Sequence, residues 1–240
     1  MPSTSQGAPG LATSVTSFHP HLLCVLLTMD LLLVALHVVA SLLDWSHPGM
    51  YLHVDQGWAE RFQYLKALSI AGLAAWLGRR SQAVVLWVWG GLFGYIVIDD
   101  SLSIHESYGH HLQHVFDLPA LWGLRPQDLG ELVVLSTVAT VFVCLLAVAT
   151  ALSSHWARAV TADLLMLLVG LALFGVVVDM LHIVAAAHAI RGFTLLEDGG
   201  ELVMMSLIAA YLARIARGDG SVPGRFPRRL VAILTGRRAV

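Results

Sequence analysis

Carboxylates and imidazoles are the side chains of this sequence whose types and spacing could do chemistry. Asp44 and His47 stand three residues apart, as do Asp179 and His182; on a helix each pair projects from one face. Asp99, Asp100, His105 and Glu106 fall together in the stretch IDDSLSIHE. Glu60, Glu131 and Glu201 each open a stretch of apolar sequence. Imidazole nitrogen and carboxylate oxygen together form a donor set for a borderline divalent ion such as Zn, Fe, Mn or Cu. Carboxylates gathered without a cation repel one another and take up protons instead. The predicted metal ligands are therefore Asp99, His105, Glu131, Asp179, His182 and Glu201, with Asp44, His47 and Glu60 as a second tier. His110, His111, His114 and His188 are further ligands, or partners that orient the ligands. If IDDSLSIHE continues as helix, Glu106, His110 and His114 form one stripe.

Other readings compete. A loop or hydrogen-bonding role is the ordinary use of any single histidine. Carboxylates also favour helix N-termini, and Asp128 or Asp198 near an N-cap would make Asp-x-x-Glu a capping signal. Capping leaves Asp99 and Asp179 unexplained, because both are expected at helix C-terminal ends, where acids are disfavoured.

The elements that must position these groups follow from composition. Hydrophobic residues make up 57% of the 240 residues and charged ones only 12%, with a mean hydropathy of +0.74. This excludes a disordered chain, a basic nucleic-acid-binding surface and an ordinary water-soluble enzyme. The two cysteines, Cys24 and Cys144, lie inside apolar runs and make neither a disulfide framework nor a zinc knuckle. The sequence is that of an all-α polytopic transmembrane bundle of six helices, at 22–43, 61–78, 83–104, 131–153, 159–187 and 198–215. Residues 1–18 read as a flexible cytoplasmic N-terminus, 19–215 as the transmembrane domain and 216–240 as a basic cytoplasmic tail that lies on anionic headgroups.

Ten of the fourteen Lys and Arg residues fall in the even-numbered loops and the tail. The positive-inside rule then places both termini in the cytoplasm of a bacterial-type plasma membrane. Thirteen of the sixteen acidic residues lie on the opposite side. Three further polar residues that fall within spans rank lower as ligands. His37 is expected to bond a neighbouring helix or pack against Asp30, whereas Asp30 and Asp163 are expected to snorkel or pair with tail arginines.

The bundle reads as three repeated helical hairpins. QDLGELVVLS (127–136) matches EDGGELVMMS (197–206), and GLFGYIVID (91–99) matches LALFGVVVD (171–179). The first hairpin fits less well: it shares TMDLLL (28–33) with TADLLM (161–166), its Asp-x-x-His, and DQGWAE (55–60), which supplies an acid, a glycine and Glu60. His recurs six positions on in all three, at 47 and 53, 105 and 111, 182 and 188.

No phosphate-binding loop, nucleophile elbow or His-Glu-x-x-His is present. The expected function is an integral membrane protein with an extracytoplasmic His/carboxylate site for a divalent transition metal, read further as a metalloenzyme acting on a lipid or other hydrophobic substrate. A cation- or proton-coupled transporter is one alternative; a non-catalytic subunit or assembly factor, working in an oligomer or membrane complex, is the other. The lipid bilayer is the expected partner, and no nucleic acid is.

Overall fold

The computed structural model describes residues 20–185 and 190–218. The segment 1–18, the tail beyond 218 and His188 lie outside the described residues. Among those described, all regular structure is helical. The helices are α1 (Pro20–Leu42), α2 (Trp58–Ser81), α3 (Val84–Ser101), α4 (Ile104–Val115), α5 (Pro126–Ala151), α6 (His155–Ala172), α7 (Asp179–Ala185) and α8 (Ile190–Arg217). A single 3₁₀ turn, Pro48–Met50, interrupts the connection from α1 to α2, and a wider π-helical segment, Leu173–Val178, joins α6 to α7.

Five helical segments are long and apolar enough to cross a membrane: His21–Leu42, Val84–Ser101, Pro126–Ala151, His155–Val184 and Gly192–Arg217. Their outward faces carry large apolar side chains such as Val25, Leu31, Val143 and Val169, the last 69% exposed. In water such a surface would drive aggregation; against lipid it is the expected exterior.

α2 is not one of the five, because Glu60, Arg61 and Lys66 lie in its first turns and Arg79 and Arg80 in its last. It is nonetheless one continuous helix, several residues longer at each end than 61–78. Its buried stripe, Ala67, Ile70, Ala74 and Leu77, has helical spacing. Gln82 closes it in the left-handed conformation, and the Gln82 N–H returns to the Gly78 carbonyl. The stripe packs on Val85, Leu86, Trp89 and Phe93 of α3. The same core takes in Val160 and Leu164 of α6 and Ile208 and Leu212 of α8.

Three boundaries differ from the sequence expectation, and each moves a polar group. The third helix does not run on through IDDSLSIHE. It ends at Ser101, and Ser103 takes a left-handed φ of 45° before α4 starts. The fifth span is not uniform α-helix, because the π segment adds width just before Asp179. The last helix begins at Ile190, so Asp198 and Glu201 sit two turns or more inside α8 and cannot cap it. Capping does operate on α5. There Asp128, fully buried, accepts the Arg125 N–H at 2.7 Å and the Arg125 guanidinium at 2.6 Å. That carboxylate holds the Arg125 guanidinium above its ordinary range.

α4 packs along α5 at a crossing made by two glycines. A Cβ on Gly130 would lie 2.2 Å from the Gly109 carbonyl oxygen, and one on Gly109 would lie 2.5 Å from Glu131 Cγ. Gly130→Ala must therefore separate the two helices. The expected cost is about 1–3 kcal/mol or more of overpacking, read as a lowered unfolding midpoint in detergent. Gly72→Ala is the control: nothing lies within 4 Å of a Cβ there, so helix propensity alone should leave it neutral or more stable by up to about 1 kcal/mol.

Candidate metal centre

The break between α3 and α4 builds the centre. Asp99 lies in the last turn of α3, 3% exposed. Once the chain turns at Ser103, its carboxylate is positioned to accept the backbone N–H of His105 at 3.1 Å, satisfying one of the free N–H groups of the first turn of α4. The other carboxylate oxygen lies 2.8 Å from His105 Nδ1. The Tyr95 hydroxyl donates to Asp99 at 3.0 Å, one turn back on α3. Asp100, the next residue, is exposed. Asp99, Asp100 and His105 offer ligand atoms that all lie within 4.8 Å of one another, so this triad could hold a metal ion.

A cation arriving between Asp99 and His105 would replace the proton that now joins them. Two carboxylates and one imidazole make a donor set that suits Zn, Mn or Fe. Asp100 was not among the expected ligands. Its adjacency to Asp99 was visible in sequence, but a continuous helix would have aimed the two side chains about 100° apart. Only the helix break returns His105 to both.

Seven further acids are linked to the triad through a chain of Coulombic interactions. Asp100 lies within Coulombic reach of Glu60 of α2 and Glu106 of α4. Glu201 lies within the same reach of Asp100, Asp179, Glu197 and Asp198. On the α7 side, Asp179 shares a hydrogen bond with Glu197 and feels Glu131 of α5. Two carboxyls sharing a hydrogen bond need a proton or a cation between their oxygens. His182 Nδ1 lies 2.8 Å from Glu197 Oε2, and its ring stacks on Phe193. Glu197 was also missed by sequence reasoning. Had the last helix been started at Ile190, Glu197 and Glu201 would have stood at i and i+4 on one face.

The π segment fits around Glu201. A Cβ on Gly175 would meet Glu201 Oε1 at 2.5 Å, so the glycine makes room for this carboxylate. Such widened turns recur at functional sites. The Gln63 amide reaches Glu201 at 3.5 Å from α2.

The expected ligands therefore divide. Asp99 and His105 make the triad with Asp100. Glu201 of α8 lies within Coulombic reach of Asp100 and of Asp179, and Glu131 of α5 and His182 of α7 join this network through Asp179. Glu60 takes a local role, accepting the Gln56 N–H and the Tyr64 hydroxyl, and still faces Asp100 and Asp198. Asp44 and His47 are exposed on the turn after α1; Asp44 has a left-handed φ of 47°, and the His47 ring rests on Trp58.

Two polar residues deeper in the bundle, Asp30 and His37, find different partners from those expected. Asp30 pairs with Lys66 at 2.9 Å, their side chains only 3% and 2% exposed. Lys66 Nζ also donates to the Leu202 carbonyl at 2.8 Å and to Ser206 Oγ at 3.3 Å, while Ser206 donates to Asp30 at 2.6 Å. These contacts tie α1, α2 and α8 together. His37 bonds the α1–α2 connection: its Nδ1 accepts the Leu52 N–H at 3.1 Å, where that connection folds back over α1. Asp163 accepts the Tyr211 hydroxyl at 2.7 Å, and Arg214 lies over the same tyrosine ring.

No curated protein and no solved structure matches the chain. All the acids and histidines of the centre lie within residues 23–215, the part matched by a family model described as a domain of unknown function (DUF8692), and the chain belongs to that family.

Proposed function

We propose that the protein is an integral membrane protein that binds a divalent transition metal at the extracytoplasmic end of its bundle. Asp99, Asp100 and His105 form the core of the site, and Glu131, Asp179, His182, Glu197 and Glu201 are the adjoining donors and charges. The observation that carries this is the convergence of two carboxylates and an imidazole within 4.8 Å, one of the carboxylates buried. In the enzymatic form of this reading, the metal supplies an activated water or polarises a substrate oxygen, and a carboxylate not bound to it serves as base. The lipid-facing exterior makes a lipid or other hydrophobic molecule the natural substrate.

The six-span, three-hairpin architecture belongs to the same proposal. α2, 24 residues long, measures about 36 Å, enough to cross. Pairing with Asp30 lowers the cost of placing Lys66 there. With six spans, both termini share the cytoplasmic side with the Arg-rich even loops.

Elemental analysis of protein purified from metal-replete medium tests the reading. About one equivalent of transition metal per chain is expected. Because binding displaces a proton at Asp99 and His105, acid competes with the metal, and the ion should be released as pH is lowered from about 8 to about 5. Protein without metal, or binding flat across that range, would overturn it.

A second reading, a cation- or proton-coupled transporter, draws support from one observation: the Asp30–Lys66–Ser206 network buried between helices. Ionisable groups inside a membrane bundle often mark ion pathways. Ion flux in proteoliposomes separates the readings, since a metal-binding enzyme carries none.

A further inference from the structure

A second pair of imidazoles stands on the exposed face of α4, apart from the triad. His110 and His114 are four residues apart, with ring centroids at 4.7 Å and planes at 84°. The Gln113 side-chain amide nitrogen lies 2.8 Å from His110 Nδ1 and 3.4 Å from His114 Nε2. An amide –NH₂ can only donate, so each ring turns a lone pair toward it. Two imidazole lone pairs therefore aim at one point, filled by the weakly positive amide group of the half-buried Gln113. Moving Gln113 aside breaks no buried bond, and Glu106 lies one turn earlier on the same stripe.

We propose that His110 and His114 form a separate, solvent-open site for a borderline divalent transition ion, of the Cu(II), Ni(II) or Zn(II) class, with water completing the coordination. Histidines at i and i+4 are the spacing by which one helical face supplies two nitrogen ligands. His105, five residues earlier and roughly 140° around the axis, is held by Asp99, so the two sites share a helix but no ligand. The open site stands whether or not the buried triad takes a metal.

The test is a Cu(II) titration of the full chain in detergent, by calorimetry and by electron paramagnetic resonance. His110→Ala/His114→Ala should lose one equivalent, or weaken it by at least about tenfold, together with the hyperfine signature of two nitrogen ligands. His111→Ala should retain both. A double variant that titrates like the wild type would overturn the proposal. So would an equal loss in His111→Ala, which would mean diffuse binding to a histidine-rich surface. All three side chains changed are exposed, and circular dichroism checks that each variant is folded.

Discussion

His105→Ala is expected to abolish transition-metal binding at the proposed Asp99–Asp100–His105 centre while leaving the bundle folded. The ring hydrogen-bonds Asp99 Oδ2 and is 22% exposed, so its removal leaves no large cavity. Asp99→Asn probes the same pair from the other side. Asparagine keeps an oxygen to accept the His105 N–H that begins α4, but it loses the anion that would hold a cation. Loss of a ligand should exceed the roughly 10–100-fold affinity cost typical of an orienting partner. Metal content by mass spectrometry and the unfolding midpoint should therefore separate in both variants: metal lost, stability nearly kept. Asp99→Ala should lose both, because the cap on α4 goes with the ligand. If His105→Ala and Asp99→Asn bind as much metal as the wild type, the triad is not the site.

The Asp30–Lys66 pair should show the largest stability effect. Either single change, Asp30→Asn or Lys66→Met, leaves an uncompensated charge between α1, α2 and α8, at an expected cost of about 3–5 kcal/mol. The double change removes both charges and should recover most of that loss, because replacing a buried pair by neutral groups is often close to neutral. Unfolding in detergent reads all three variants. Cysteine accessibility along α2 adds a second measure, since an unpaired Lys66 should draw the start of α2 toward water. Single changes as stable as the double one would mean that the pair contributes only packing.

The sequence by itself determined the class of the protein. Long apolar runs must be helical in lipid because nothing else satisfies their backbone groups there, and five of the expected spans form helices long and apolar enough to cross. It also marked the chemistry: acids and histidines are costly near hydrocarbon, so their clustering in IDDSLSIHE and around Asp179 and Glu201 stood out.

Tertiary structure decided how those groups meet. Helical spacing from Asp99 to His105 does not bring them together; the left-handed turn at Ser103 does, and no composition rule demands it there. Where α8 begins decided whether Asp198 and Glu201 cap a helix or face other acids, and helix ends are the boundaries that local pattern fixes least. Long-range pairing was likewise invisible. Asp30 was expected to reach for tail arginines, but its partner is Lys66 in the next helix, because packing of α2 against α1 and α8 buries both charges at once. Periodicity reports which face of a helix is apolar, whereas only the packed bundle reports which polar group stands opposite.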